Sequence, residues 1–358
     1  MRYPIGAIVL TSLLLSLADS TAQTRKKKTY QFDHSSRRSF NESNTVDSIW
    51  TSPNYFVPRA TADKFGVLGL ECKNPFNDEE ALFKLFPGNH YDIHDDEKHP
   101  YVGEGIAIWR CKDCPVNKAD DEYPHLFPRK EGNLTEVFKV KYFKDDSGRR
   151  NVLVAFQTND ISYLNEMYMG NCKGADMSLA LFKLYKNKWR LTNFTLFAGC
   201  LGTYQHLPHD IAPIKLGVNN YGVEIRTECY NPGGPGWGNL IIYAPVDGQF
   251  KEVLNTPSSR YMSSPCNNWG TAVERQKDLL PFSDLKTTTE GDFCREVFIG
   301  ESRFDTAINV PDEVHYRTGT ADSFGFRITK LYHFENDRYK LTQTRTRYNT
   351  VKAKKNKS

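Results

Sequence analysis

Residues 136–143 read Glu136-Val137-Phe138-Lys139-Val140-Lys141-Tyr142-Phe143, a run in which apolar and charged side chains largely alternate. This alternation is typical of a β-strand that buries one face. The run ends at the turn-forming residues Asp145-Asp146-Ser147-Gly148, and a second strand-like run, Asn151–Thr158, follows them. The sequence therefore predicts a β-hairpin, and this hairpin indicates the fold class of the rest of the chain.

Strand–turn–strand patterns of the same kind recur through the body of the chain. The paired runs are Met177–Tyr185 with Trp189–Phe194, Leu240–Tyr243 with Phe250–Leu254, and Phe326–Phe334 with Arg338–Arg347, and Tyr221–Cys229 is a further strand. Short polar turns that contain Asn, Asp or Gly separate the members of each pair. We therefore expect an all-β fold of antiparallel meanders in a propeller-like arrangement, with a β-sandwich as the alternative.

Two of these hairpins resemble each other in sequence. The first contains Lys183-Leu184-Tyr185, a turn and Trp189-Arg190-Leu191-Thr192; the second contains Lys330-Leu331-Tyr332, a turn and Tyr339-Lys340-Leu341-Thr342. Ala175-Asp176 and Ala321-Asp322 precede them. Short hairpins can share such a pattern by chance, so the likeness is either coincidence or a repeated four-strand unit. It favours meanders over Greek keys.

Residues 49–130 have a different composition, rich in Asp, Glu, His and Pro, and precede the β body at 131–347. Two segments in this part are predicted strands, Val67–Leu70 and Ile106–Ile108. Asp78–Phe86 begins with acidic residues and has apolar residues at helical spacing, which predicts one short helix. We expect a loop-rich section that packs against the β body.

Residues 1–22 have the features of a secretory signal peptide. Arg2 gives a positive start, Ile5–Leu17 is a short apolar run, and Ser20-Thr21-Ala22 places small residues before a cleavage point at Gln23. We therefore expect an exported protein that is extracellular or periplasmic. No second apolar segment of about 20 residues follows, so the sequence predicts no membrane span.

Positive charge is concentrated at the two ends of the chain, although the formal net charge is only +4. Residues 23–48 hold six Lys/Arg and three acids, and residues 344–358 hold six Lys/Arg and no acid. We interpret 23–48 as a disordered segment and 348–358 as a basic tail. Attachment of these ends to an anionic surface is the functional alternative.

The chain has eight cysteines, an even number that in an exported protein predicts up to four disulfides. Hairpins bring two candidate pairs together, Cys172 with Cys200 and Cys229 with Cys266, and each bridge would stabilise the fold by ~3 kcal/mol. The full set is Cys72, Cys111, Cys114, Cys172, Cys200, Cys229, Cys266 and Cys294.

Cys111-Lys112-Asp113-Cys114 has a spacing that occurs in redox couples, zinc sites and tight disulfides. A redox-active cysteine pair normally lies at a helix N-terminus, which lowers the pKa of the first thiol. Here the strand-like run Ile106–Arg110 precedes the motif instead. The sequence has no second CxxC for a four-cysteine zinc site. A disulfide between the two residues is the simplest interpretation, and pairing of each with a distant cysteine is the alternative.

Two histidine-rich segments are candidate sites. The first offers ligands for Zn²⁺ or Ca²⁺, and its metal-capable residues are His90, Asp92, His94, Asp95, Asp96 and His99. The second contains Tyr204, His206, His209 and Asp210, in which a His–Asp pair is suited to ligand contact or to general-base chemistry. Prolines flank both segments, which equally indicates ordinary exposed loops.

Trp237 lies between Gly236 and Gly238 and follows Asn231–Pro235, which predicts an aromatic residue at a hairpin tip. Exposed aromatic rings on a β scaffold contact sugar or protein surfaces, and inward packing is the alternative. The sequence contains neither a Gly-x-Ser-x-Gly motif nor a phosphate-binding loop. We therefore expect a secreted binding protein for an extracellular glycan or protein; a secreted glycan hydrolase and a structural envelope protein are the alternatives.

The composition of the ends generates a testable prediction. Because residues 23–48 and 348–358 have little apolar periodicity, they should contribute almost nothing to the core. A chain that spans residues 49–347 should melt within a few degrees of the mature chain in a thermal denaturation experiment. A collapse of the melting temperature would show that one of the two ends is docked on the β body.

Overall fold

The computed structural model describes the chain from Arg59 to Asn349 with gaps. The described ranges are 59–91, 105–119, 125–130, 132–160, 174–203, 205–230, 236–261, 268–276, 280–294, 296–299, 302–305, 310–314 and 323–349. All of them belong to one compact unit, Val46–Ser358. The predicted signal peptide, the basic segment 23–48 and residues 350–358 lie outside the described residues. No helix in the described ranges is long and apolar enough to cross a bilayer.

Antiparallel β-sheets dominate the described chain, which confirms the predicted fold class. The strands of the first sheet are β1 Arg59–Ala60, β2 Glu71–Lys73, β3 Asn89–Tyr91, β4 Ile106–Cys111, β7 Asn133–Lys144, β8 Arg150–Asp160, β9 Ala175–Tyr185 and β10 Lys188–Leu201. Their order is β1-β4-β7-β8-β9-β10-β2, and β3 also pairs with β4. The pairing of β1 with β4 is parallel.

A second sheet follows the first along the chain. Its strands are β11 Asp210–Gly217, β12 Asn220–Arg226, β13 Cys229–Tyr230, β14 Gly236–Val246, β15 Gln249–Tyr261, β16 Trp269–Arg275, β17 Leu285–Cys294, β20 Ser323–Glu335 and β21 Arg338–Asn349. Neighbours in sequence are neighbours in the sheet, and β13 pairs with β14. Two small hairpins complete the described strands, β5 Asn117–Ala119 with β6 His125–Phe127, and β18 Glu296–Ile299 with β19 Ser302–Asp305. A 3-10 helix spans Ala62–Lys64.

The central strands of the first sheet bury both of their faces. On β8, Val152, Val154 and Phe156 pack in one core with helix α1, which spans Asp78–Leu85. The intervening Leu153 and Ala155 pack in a second core that includes residues of β11, β12 and β14. Because neither face meets water, such a strand needs no polar alternation, which explains the continuous apolar run of β8.

The second sheet curls back upon itself into a half-barrel. On β14, Ile241 and Tyr243 pack towards the first sheet, whereas Ile242 and Ala244 point to the other side. There they share a core with Leu285 of β17 and with Tyr332 and Tyr339 of β20 and β21. Strand β14 is therefore covered by the first sheet on one face and by later strands of its own sheet on the other.

Three hairpins, β9–β10, β14–β15 and β20–β21, share one geometry. Each closes with two turn residues of positive φ, which is the type I′ arrangement that suits the twist of paired strands. These turn residues are Lys186 and Asn187, Asp247 and Gly248, and Asn336 and Asp337. Each hairpin also has a β-bulge at the same distance from its turn, at Thr192, Val253 and Thr342.

The predicted internal likeness holds for only one strand of each hairpin. Trp189-Arg190-Leu191-Thr192 and Tyr339-Lys340-Leu341-Thr342 occupy equivalent positions, and the hydroxyls of Thr192 and Thr342 donate to the carbonyls of Leu181 and Leu331 at 3.1 and 3.0 Å. Lys183-Leu184-Tyr185 and Lys330-Leu331-Tyr332 do not correspond, because the residue equivalent to Lys183 is His333.

Helix α1 confirms the helix predicted in the N-terminal section. Asn77 caps it, since its side-chain oxygen accepts from the amide of Glu80 at 2.7 Å. The predicted strand at Ile106–Ile108 lies within β4. The predicted strand at Val67–Leu70 is wrong: the segment is a turn, because Gly69 adopts a φ of 87° that ends extended backbone.

Asp146 joins the two sheets at their surface. It lies in the turn between β7 and β8, where its carboxylate accepts from the amide of Asn219 and the hydroxyl of Tyr221, both at 2.9 Å. Lys215 of β11 forms an ion pair with the same carboxylate. The Asn219 amide, followed by Lys215, lowers the pKa of Asp146 from its ordinary 3.8 to about 2.

This lowered pKa predicts how stability should depend on pH. A carboxyl group whose pKa is lower in the folded state stabilises the fold above its ordinary pKa and loses that contribution as pH falls towards the folded value. Asp146→Asn should therefore lower the urea midpoint near neutral pH, and the difference from wild type should shrink as pH falls from about 4 to about 2.

Asp247→Asn is the matched control, because Asp247 is also an exposed turn aspartate but does not join the two sheets. Near neutral pH it should lower the urea midpoint by less than Asp146→Asn does. An Asp146→Asn difference that stays constant down to pH 2 would contradict the role assigned to Asp146.

Candidate functional site

His206 and His209 of the predicted loop site lie in the connection from β10 of the first sheet to β11 of the second. The buried Gln157 anchors it, with its Nε2 3.3 Å from His206 Nδ1 and its Oε1 accepting from the amide of Leu207. The His209 ring stacks on Phe138 at 5.9 Å. Asp210 begins β11, and Tyr204 lies outside the described residues. The described contacts fix the position of the loop between β10 and β11. The predicted ligand-contact role of this segment stays untested.

Trp237 does not lie at a hairpin tip, so that part of its interpretation is corrected. It belongs to β14, where it pairs with Cys229 of β13 and Arg260 of β15 and is half-buried. The glycine beside it is required by packing, since a Cβ at Gly238 would lie 2.2 Å from the carbonyl oxygen of Thr227. Gly238 thus allows close strand packing, a cause that the sequence pattern alone does not distinguish from a turn.

Most of the predicted metal-binding segment lies outside the described residues, namely Asp92, His94, Asp95, Asp96 and His99. His90 is described: its Nε2 lies 3.0 Å from the carbonyl oxygen of Phe86, and its ring stacks on Phe83 at 4.3 Å. These contacts tie β3 to the end of α1. Metal binding at this segment stays a prediction.

The structure confirms part of what the sequence predicts for the cysteines. Cys111 and Cys114 form the expected disulfide, and Cys229 is also disulfide-bonded. Cys72 is corrected as a disulfide cysteine, because it is a free, buried thiol in β2 whose pKa burial raises to about 11. Cys172 and Cys266 lie outside the described residues, so the proposed pairs that contain them stay predictions.

A buried ionic cluster, which sequence reasoning missed, closes one end of the first sheet. The carboxylate of Asp176 on β9 is fully buried, with Oδ1 2.9 Å from His125 Nε2 and Oδ2 accepting from Arg129 Nη1 at 2.9 Å. Arg129 also pairs with Asp160 at 3.3 Å. The cluster fastens the β5–β6 hairpin region onto the sheet. Its only sequence signal was an acidic residue beside a long apolar strand.

The same cluster has some of the chemistry of a metal site. Ligand atoms of His125, Asp176 and Cys200 lie within 4.8 Å of one another. Against this, the guanidinium of Arg129 already neutralises the carboxylate and places positive charge beside the position that a cation would occupy. We therefore interpret the cluster as a structural ion pair network.

An aromatic cleft lies at the opposite end of the same strands. Three elements contribute to it: the loop before α1, the ends of β7 and β8 that flank their turn, and the start of β10. It has a volume of about 310 Å³. Its lining residues are Asn74, Pro75, Phe76, Tyr142, Phe143, Lys144, Arg150, Asn151 and Trp189.

Three aromatic rings form the apolar part of the cleft. Trp189 is 2% exposed, and Phe76 packs against it at 5.7 Å. Tyr142 lies 6.3 Å from Trp189 but remains 63% exposed. The indole Nε1 of Trp189 is buried without a hydrogen-bond partner among the described residues, which is unusual for a buried indole.

The polar rim of the cleft is positive. Lys144 and Arg150 line it together with Asn74, and the Arg150 guanidinium lies 5.9 Å from the ring centroid of Trp189. Asn151 also lines the cleft, but its side chain is buried and donates to the carbonyl of Arg149 at 2.8 Å. None of the lining residues is acidic. The cleft thus combines stacking surfaces, a side-chain amide and two cations. The sequence did not indicate it, because the three rings come from distant segments.

A larger groove of about 690 Å³ crosses strands β12, β15, β16, β17 and β20 of the second sheet. Four of its six charged residues pair within it, since Lys286 pairs with Glu274 at 2.7 Å and Arg327 pairs with Glu290 at 2.5 Å. Arg226 pairs with Glu224 beside the groove at 2.8 Å. No aromatic side chain lines it. The aromatic cleft is therefore the stronger candidate site.

No protein family, curated protein or solved structure matches this chain. The chemistry of the cleft is therefore inferred from its own residues.

The ionic cluster generates a stability prediction. Asp176→Asn keeps the size of the side chain but removes the charge that neutralises Arg129, so it should destabilise the fold by about 3–5 kcal/mol in urea denaturation. Asp160→Asn is the control, because its side chain is 34% exposed and Arg129 would keep Asp176. Equal, small effects of both substitutions would contradict the structural role of the cluster.

Proposed function

We propose that the protein binds oligosaccharides and that the aromatic cleft is its contact site. The observation that carries the proposal is the exposed ring of Tyr142 beside Phe76 and the buried Trp189. Sugar rings present apolar C–H faces that stack on aromatic rings, and their hydroxyls exchange hydrogen bonds with amides and charged groups. The cleft supplies both kinds of group within one volume.

The size of the cleft fits a small part of a glycan. About 310 Å³ lies at the lower end of the range for small-molecule sites. Its walls come mostly from strand residues, with only Asn74, Pro75 and Phe76 contributed by a loop. Aromatic rings on rigid strands limit the conformational entropy lost on binding, which favours recognition by a preformed surface.

Binding is better supported than hydrolysis. Glycosidases of the common two-carboxylate type place a pair of Asp or Glu side chains on either side of the scissile bond. The residues that line the cleft provide a side-chain amide, cations and a phenol instead. In this proposal the cleft holds its ligand without cleaving it.

The proposal includes export of the protein, which would then bind its glycan outside the cytoplasm. Its support is the signal-peptide pattern of residues 1–22 and the Cys111–Cys114 disulfide, which suits an oxidising compartment. A protein partner for the same rings is the alternative, and a glycan screen distinguishes the two.

A substitution of Tyr142 tests the proposal. On a glycan array followed by calorimetry, the wild-type protein should bind an oligosaccharide, and Tyr142→Ala should weaken that binding about tenfold or more, since a lost stacking contact is worth about 1.4 kcal/mol. The free energy of unfolding should change by less than about 0.5 kcal/mol, because the ring is mostly exposed.

Tyr185→Ala is the matched control. Tyr185 is also an exposed strand tyrosine, at 41%, but it stacks with Arg149 outside the cleft lining. It should leave glycan binding unchanged. If Tyr142→Ala and Tyr185→Ala bind the glycan equally well, or if no glycan binds the wild-type protein, the proposal fails.

A further inference from the structure

We propose that the cleft selects an acidic sugar, with Lys144 and Arg150 as the residues that recognise its anionic group. This inference rests on the proposed function and adds the chemical class of the ligand. Its basis is a pair of cations that face each other at the rim of the cleft.

Lys144 and Arg150 are directly opposite each other in the β7–β8 ladder. Side chains at such positions project from the same face with Cβ atoms about 5 Å apart, and like charges there destabilise the sheet. Both side chains are exposed, and the Arg150 guanidinium lies over the ring of Trp189. No acidic residue lines the cleft beside the two cations.

The nearest carboxylates in the turn are engaged elsewhere. Asp145 accepts from the amides of Ser147 and Arg149 at 3.0 and 2.9 Å. Asp146 binds the β11–β12 hairpin of the second sheet. Among the described residues, the turn therefore directs its acids away from the two cations.

An anion placed between Lys144 and Arg150 would remove this repulsion. An arginine fork binds a carboxylate or sulfate through two parallel hydrogen bonds, and a lysine adds a point charge. The exposed ring of Tyr142 lies on the same strand as Lys144, two residues before it, and lines the same cleft. A sugar ring on Tyr142 would thus carry its anionic substituent towards the cations.

The test compares sugars that differ only in charge. Oligogalacturonides and hyaluronan oligosaccharides, each compared with its methyl-esterified form, represent carboxylates. Sulfated galactan oligosaccharides, whose desulfated counterparts are neutral, represent sulfates. Calorimetry with the full mature chain should show at least tenfold tighter binding of one acidic form than of its neutral counterpart. This preference should weaken with added salt.

Variants assign the preference to the two cations. Lys144→Gln combined with Arg150→Gln should reduce the affinity for the acidic form to that of the neutral form. Lys112→Gln combined with Lys118→Gln is the control, since both lysines are exposed and lie outside the cleft lining. This control should leave the preference intact.

A charge reversal separates recognition from a structural role. Lys144→Glu places an acid opposite Arg150, so it should raise the melting temperature of the free protein and abolish the preference for the acidic sugar. A lower melting temperature would show that Lys144 supports the fold instead.

The outcomes separate the two proposals. Equal affinity for acidic and neutral forms would overturn this inference and leave glycan binding by the cleft in place. A preference that survives in the Lys144→Gln, Arg150→Gln protein would overturn the assignment to these residues. Failure of every sugar to bind the wild-type protein would overturn the proposed function and this inference together.

Discussion

Double-sided burial of a few central strands is the constraint on which the rest of the structure depends. Strands β8 and β9 are covered on one face by helix α1 and on the other by the second sheet. Strand β14 is covered by the first sheet and by the curled end of its own sheet. A one-residue slip in any of them would exchange the two cores, so the register of the whole meander is strongly specified.

The two ends of strands β7–β10 differ in whether their buried side chains are closed off from solvent. At one end, the buried carboxylate of Asp176 is neutralised by Arg129 and His125, which seals the sheet. At the other end, Trp189 remains without a hydrogen-bond partner in the described chain, and Tyr142 stays exposed above it. Of these two ends, only the second exposes the aromatic layer of the core to solvent. The cleft that we propose as the ligand site lies at that end.

The fold class was predictable from the sequence because strand alternation and turn chemistry are local. The alternation of residues 136–143 breaks at Val137-Phe138, where the structure has a β-bulge, and at Tyr142-Phe143, where the register is regular. The site was not predictable, because Phe76, Tyr142 and Trp189 meet only through tertiary packing. The glycine pattern around Trp237 was also misinterpreted, because Gly238 serves close strand packing rather than a turn.

Hydrogen exchange measured with and without a bound acidic oligosaccharide tests the central claim most directly. The account predicts that amides of β8, β9 and β14 exchange slowest in the free protein, since both faces of these strands are buried. Added sugar should then protect residues 74–76, 142–151 and the start of β10, with little change elsewhere. Slowest exchange in β16–β21, or protection by sugar confined to the second sheet, would contradict both the core and the site that we describe.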